Sequence, residues 1–137
     1  MKALLQKQTK FNTKEKGKYG NCMVSCYANY LELDIEDCPA FEELFDCKKP
    51  NGFWWDAVLL WWESHGYLYY NSTNANDIPE SVFNDYYFVS GISPRDPSIH
   101  HLVIYKQGKL FFDPHPDNTG IVEGTESSFE WVIKQVL

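Results

Sequence analysis

Apolar residues recur at helical spacing just after position 20. Met23, Cys26, Tyr27, Tyr30 and Leu31 fall at i, i+3, i+4, i+7 and i+8, one stripe of an amphipathic helix. Gly20-Asn21 supplies a turn and an N-cap, which places Cys22 in the first turn. Pro39 opens a second short helix over residues 40–46, with Phe41, Leu44 and Phe45 inward. A third run extends from Phe53 to His65 and closes on Gly66 as its C′ residue. Apolar residues surround nearly its whole circumference, which predicts burial on more than one side. Its four tryptophans then serve core packing rather than ligand stacking.

Further along, the period shortens to that of strands. Residues 67–70, 86–90, 101–105 and 110–113 have strand character, with a polar loop over residues 71–83. Residues 91–98, with Pro94 and Pro97, read as a rigid loop whose only cation is Arg95. Lys106-Gln107-Gly108-Lys109 is a hairpin turn. With Gln107 and Gly108 at its tip, Tyr105 faces Leu110, Val103 faces Phe112 and Leu102 faces Asp113. That register brings Asp113 within side-chain reach of His101. Near the C-terminus Ser127 and Glu130 form a capping box, and Phe129, Val132, Ile133 and Val136 form a stripe, so a short helix is predicted. Residues 1–18 are polar and basic and read as a solvated arm. Residues 19–137 then make a single α+β domain, with N-terminal helices packed on an antiparallel sheet and a short C-terminal helix.

Composition narrows the partners. A chain of 137 residues with 44% hydrophobic and 17% aromatic content supports one folded core. A net charge of -7 counts against nucleic acid. The apolar run at Ala3-Leu4-Leu5 is too short for a signal peptide, and no stretch approaches the ~18 apolar residues of a membrane span. The expectation is a cytoplasmic monomer with no membrane partner. Cysteines at 22, 26, 38 and 47 contain no CxxC pair, so neither a metal nor another cofactor is implied, and the thiols are expected to be reduced.

Three residues carry candidate chemistry. A thiol at a helix N-terminus lies in the positive end of the macrodipole, which favours the nucleophilic thiolate. The alternative reading of Cys22 is a small buried hydrophobe. A thiolate nucleophile needs an imidazole to hold and return a proton, and the imidazole needs a carboxylate or amide to orient it. His101, opening a strand, and Asp113, on its hairpin partner, satisfy that need. Gln6 and Gln8 are the amides able to donate to a developing oxyanion. Arg95 is a candidate for binding a substrate carboxylate or carbonyl, against the alternative of pairing with Asp96 or solvent.

The segments Gly20-Asn21-Cys22-Met23-Val24-Ser25-Cys26, His101-Leu102-Val103-Ile104-Tyr105 and Phe112-Asp113-Pro114-His115-Pro116 resemble motifs of small papain-like cysteine peptidases. The likeness is nearest to bacteriocin-leader peptidases and to small bacterial and phage proteins of that kind. The resemblance implies a papain-like fold with Cys22 as nucleophile, His101 as base and Asp113 as orienting carboxylate. His100 is then a rim residue and His115 a turn residue. It also implies an oxyanion glutamine, for which Gln8 is the candidate. Two departures stand out. Met23 follows the cysteine where the family has glycine, and Gln8 lies fourteen residues before Cys22 where the family's glutamine lies only a few. The expected activity is cysteine-dependent hydrolysis of a peptide, isopeptide or other amide bond in a peptide or protein substrate, through a thioester. The alternatives are acyl transfer of the transglutaminase type and a catalytically silent binding module.

Overall fold

The computed structural model describes residues 5–12, 19–44 and 53–136. Helix α1 spans Cys22–Leu31, α2 Phe53–Ser64 and α3 Glu80–Phe83; short 3-10 turns lie at Ile35–Asp37, Phe41–Leu44 and Ala75–Asp77. Strands β1 Tyr67–Ser72, β2 Tyr87–Ser93, β3 Asp96–Lys106, β4 Lys109–Phe112 and β5 Ser128–Lys134 form one antiparallel sheet in the order β1-β5-β2-β3-β4. The fold is α+β, with α1 and α2 on one face of the sheet and α3 on the other.

Helix α1 starts where expected. Its centre is Tyr27, fully buried, whose ring meets those of Phe41, Trp61, Trp62 and Phe88. Trp61 and Trp62 are therefore core residues, as the pattern predicted. Helix α2, however, is buried on one side only. Val58 and Trp62 face inward, whereas Asp56, Leu59, Leu60 and Glu63 follow helical spacing along an exposed face. In the second short helix Phe41 is buried but Leu44 is exposed, and Phe45 lies outside the described residues.

Three expectations fail for physical reasons. The predicted C-terminal helix is strand β5, hydrogen-bonded to β1 on one side and β2 on the other. A central strand is buried on both faces, so the run from Phe129 to Val132 shows no alternation and imitates a helical stripe. The rigid loop at residues 91–98 is a hairpin. Strands β2 and β3 continue through it, and a bulge after Ile92 absorbs the bend. Finally, residues 5–8 are not part of a solvated arm, whereas residues 9–12 are exposed. Gln6 is held by Asn29, whose Oδ1 accepts its N–H at 2.9 Å and whose Nδ2 donates to its carbonyl at 2.9 Å. Ser25 donates to the same carbonyl at 2.7 Å. Ser25 and Asn29 are fully buried, so α1 carries an apolar face against the sheet and a polar face against this segment. The rest of the expected arm lies outside the described residues.

Candidate active site

Helix α1 begins at Cys22, and Asn21 precedes it without capping it through its side chain. Instead Asn21 Oδ1 accepts the N–H groups of Thr9 at 2.9 Å and Lys10 at 2.8 Å, and its Nδ2 donates to Thr9 Oγ1 at 2.9 Å. The Asn21 N–H donates to the Lys10 carbonyl at 3.1 Å. Asn21 thus fastens residues 9–10 against the start of the helix. The sequence reading treated it as a cap alone.

The imidazole and carboxylate meet as expected, by a route the turn geometry missed. Gln107 and Gly108 form the turn, both at positive φ, and Tyr105 does face Leu110. A bulge then makes Phe112 face Ile104 instead of Val103. Asp113 lies beyond the end of this ladder, where the chain turns back toward β3. His101 Nε2 and Asp113 Oδ1 are 2.6 Å apart, and both residues are buried. Asp113 also accepts from the backbone N–H of His115 at 2.9 Å and of Gly120 at 2.8 Å. Burial would raise the Asp113 pKa, but these hydrogen bonds from His101, His115 and Gly120 hold it below the usual carboxylate range.

Cys22 lines the same two cavities as His101 and acts on its ionisation. Because Nε2 is committed to Asp113, Nδ1 is the nitrogen left to face the thiol. Burial alone would lower the His101 pKa. The bond to Asp113 and the influence of Cys22 outweigh it and push the value up from 6.5 to about 9. The helix carries a second cysteine. Cys26 is fully buried, and desolvation pushes its thiol well up, as for an inert core cysteine. Cys22, Cys26 and Cys38 are all free thiols; Cys47 lies outside the described residues. Among the described residues no group of three His, Cys, Asp or Glu is arranged to hold a metal ion, and no helix is long and apolar enough to cross a membrane.

Gln8 is brought to the same place. It is 8% exposed, its N–H donates to the Pro114 carbonyl at 2.9 Å, and its Nε2 donates to the Lys10 carbonyl at 2.8 Å. The amide nitrogen has a second N–H to offer. Lys7 fastens the other end of the segment: its Nζ bonds the carbonyls of Asp113 at 2.6 Å and His115 at 3.2 Å, and also Asn118 Oδ1. Gln6 is turned away, with its side chain bonded to the Leu33 carbonyl and the Ile35 N–H.

Cys22 and His101 line two cavities. One, of about 560 Å³, also touches Met23, Glu42, Trp55 and His100. The other, of about 180 Å³, also touches Gln8, Arg95 and His115. Cys22 and the largely buried His101 therefore lie where the two cavities meet. His100 is exposed, consistent with a rim position. Arg95 reaches the smaller cavity but is engaged. Its Nη1 binds the Asp117 carboxylate at 2.9 and 3.0 Å and Thr119 Oγ1 at 3.3 Å. The partner is Asp117 rather than Asp96, and a substrate carboxylate would have to compete with it.

Gly20 is the closest fit in this assembly. A Cβ there would lie 2.8 Å from the Lys10 carbonyl oxygen, 3.1 Å from Gln8 Nε2 and 3.2 Å from Phe11 Cα. Two of those atoms are backbone and cannot rotate away. Gly20→Ala should cost about 1–3 kcal/mol of stability and displace residues 8–11 from Cys22. Thermal unfolding should show a melting temperature lower by several degrees. An unchanged melting temperature would mean that the segment yields freely.

No protein-family model, curated protein or solved structure matches the chain. What the fold and site define by themselves is an α+β protein in which a cysteine at a helix start and a histidine share two cavities, with a buried aspartate bonded to the histidine.

Proposed function

We propose that this protein is a papain-like thiol hydrolase of amide, peptide or isopeptide bonds in a peptide or protein substrate. The observation that carries this reading is that His101, bonded to Asp113 at 2.6 Å, shares both cavities with Cys22 at the start of a ten-residue helix. The Cys22 thiolate attacks the carbonyl carbon, forming a C–S bond and an oxyanion. The Cys22 backbone N–H and the second N–H of Gln8 Nε2 are the candidate donors to that oxyanion. Collapse breaks the C–N bond as His101 gives its proton to the departing amine, leaving a thioester. Water then attacks the thioester, His101 takes the proton from water, and the thiolate leaves. Asp113 keeps the ring oriented throughout and favours the imidazolium.

The testing experiment is mass mapping after brief iodoacetamide treatment at pH 6. Cys22 should be carboxamidomethylated at least about tenfold faster than Cys26 and Cys38, because it lines both cavities beside the His101 imidazole, which can take up its proton. Equal labelling of Cys22 and Cys38 would remove the basis for a nucleophile.

A further inference from the structure

We infer that the larger cavity is a selectivity pocket for a basic substrate side chain, lysine or arginine, with the Glu42 carboxylate as its acceptor. This rests on the hydrolase reading for the side chain's role as part of a substrate. The recognition itself follows from the cavity. Its volume of about 560 Å³ is within the range of ligand-sized pockets, and it opens at Cys22 and His101. Its walls are largely apolar, including Met23, Trp55 and Leu102, and such walls suit the methylene stem of a long cationic side chain. The Trp55 indole is also a face on which a cation is attracted.

An apolar wall would equally suit leucine or phenylalanine. Glu42 decides between them. The residue is 7% exposed, lines this cavity, and has its Oε1 paired with Lys10 Nζ at 3.0 Å. Its Oε2 is buried and has no hydrogen-bond partner. A buried carboxylate oxygen left unpaired is costly, and an ammonium or guanidinium in the cavity repairs that deficit once the carboxylate turns toward it, where an apolar side chain cannot. The other carboxylate at this cavity, Glu130, is already hydrogen-bonded by Tyr27. Lys10 does not close the site from within, since its side chain is about half exposed and is shared between Glu42 and Glu43 at 3.0 and 3.4 Å.

The experiment uses mixtures of acetylated tetrapeptide amides. One position is fixed as lysine, arginine, norleucine or glutamate, and the others are randomised. Retention on immobilised Cys22→Ala protein, read by mass spectrometry, reports binding without turnover. At one position lysine or arginine should be retained at least tenfold over norleucine. The double variant Cys22→Ala/Glu42→Gln should bring that ratio close to one, and Lys10→Gln in place of Glu42→Gln should raise it. The same series made as aminocoumarin amides reports cleavage by wild-type protein. Basic preference in binding without cleavage of any peptide would overturn the hydrolase reading and leave the pocket assignment standing. Cleavage without basic preference would overturn the pocket assignment alone, and would mean that water satisfies Glu42 Oε2. Absence of any preference on the immobilised protein also overturns it.

Discussion

His101→Ala should lower hydrolysis of the cleaved peptides by about 10³-fold, the range of general acid–base catalysis, and should slow Cys22 alkylation. The ring is bonded to Asp113 at 2.6 Å and shares its cavities with Cys22, and alanine removes it from both at once. His100→Ala and His115→Ala should each cost less than about tenfold. His115 contributes its backbone N–H to Asp113, which alanine keeps, and His100 is exposed. If His100→Ala proved the damaging change, the imidazole partner of Cys22 would be the wrong one. The same histidine sets a pH dependence. Its pKa is raised from 6.5 to about 9, so its protonated form is the one the fold stabilises. That contribution is whole below pH 6.5 and is lost as the pH rises through about 9. Wild-type melting temperature should therefore fall over this interval, and His101→Ala should lack that component. Turnover should decline above the same upper limit, where the proton for the leaving amine is gone. A rate still rising beyond pH 10 would separate His101 from proton delivery.

Asp113→Asn should lower turnover by roughly 10²-fold or more and also reduce stability. The carboxylate accepts three hydrogen bonds, two at Oδ1 from His101 and the His115 N–H, and one at Oδ2 from the Gly120 N–H. An amide keeps one oxygen. With that oxygen toward His101 and His115, its NH2 group confronts the Gly120 N–H, donor against donor. Turned the other way, it confronts His101. Either arrangement leaves a buried donor unpaired, at about 1–3 kcal/mol. The aspartate also favours the imidazolium electrostatically, which a neutral amide does less well. The expected signature is a melting temperature several degrees lower together with a fall in kcat that exceeds any change in KM. Activity equal to wild type would mean that Asp113 serves only to shape the 113–120 loop.

The N-terminal half was legible from local signals. The stripe through Met23, Tyr27 and Tyr30, with Gly20-Asn21 before it, sets the start of α1 and so the position of Cys22. Gly66 at positive φ ends α2 region as its type suggests, and Gln107-Gly108 makes the turn between β3 and β4. These depend on neighbours in sequence, where propensity and backbone sterics decide. The identities of Cys22, His101 and Asp113 as the residues to bring together were also readable, because each chemical role restricts residue type.

Tertiary structure decided the rest. Ser128–Lys134 carries a capping-box pattern and a helical stripe, yet it completes a sheet whose other strands are far away in sequence; burial on both faces removed the alternation that would have marked it. The bulge between β3 and β4 moved the ladder by one residue, and the contact between His101 and Asp113 comes from the path of the chain after Phe112. Placing Gln8 beside Cys22 depended on long-range bonds from Asn21, Asn29 and Lys7 that no local pattern encodes. The sequence by itself determined which groups suit the proposed chemistry and where its first helix begins. Only the folded chain decided their contacts, because register, bulges and buried polar partners are fixed by packing between segments distant in sequence.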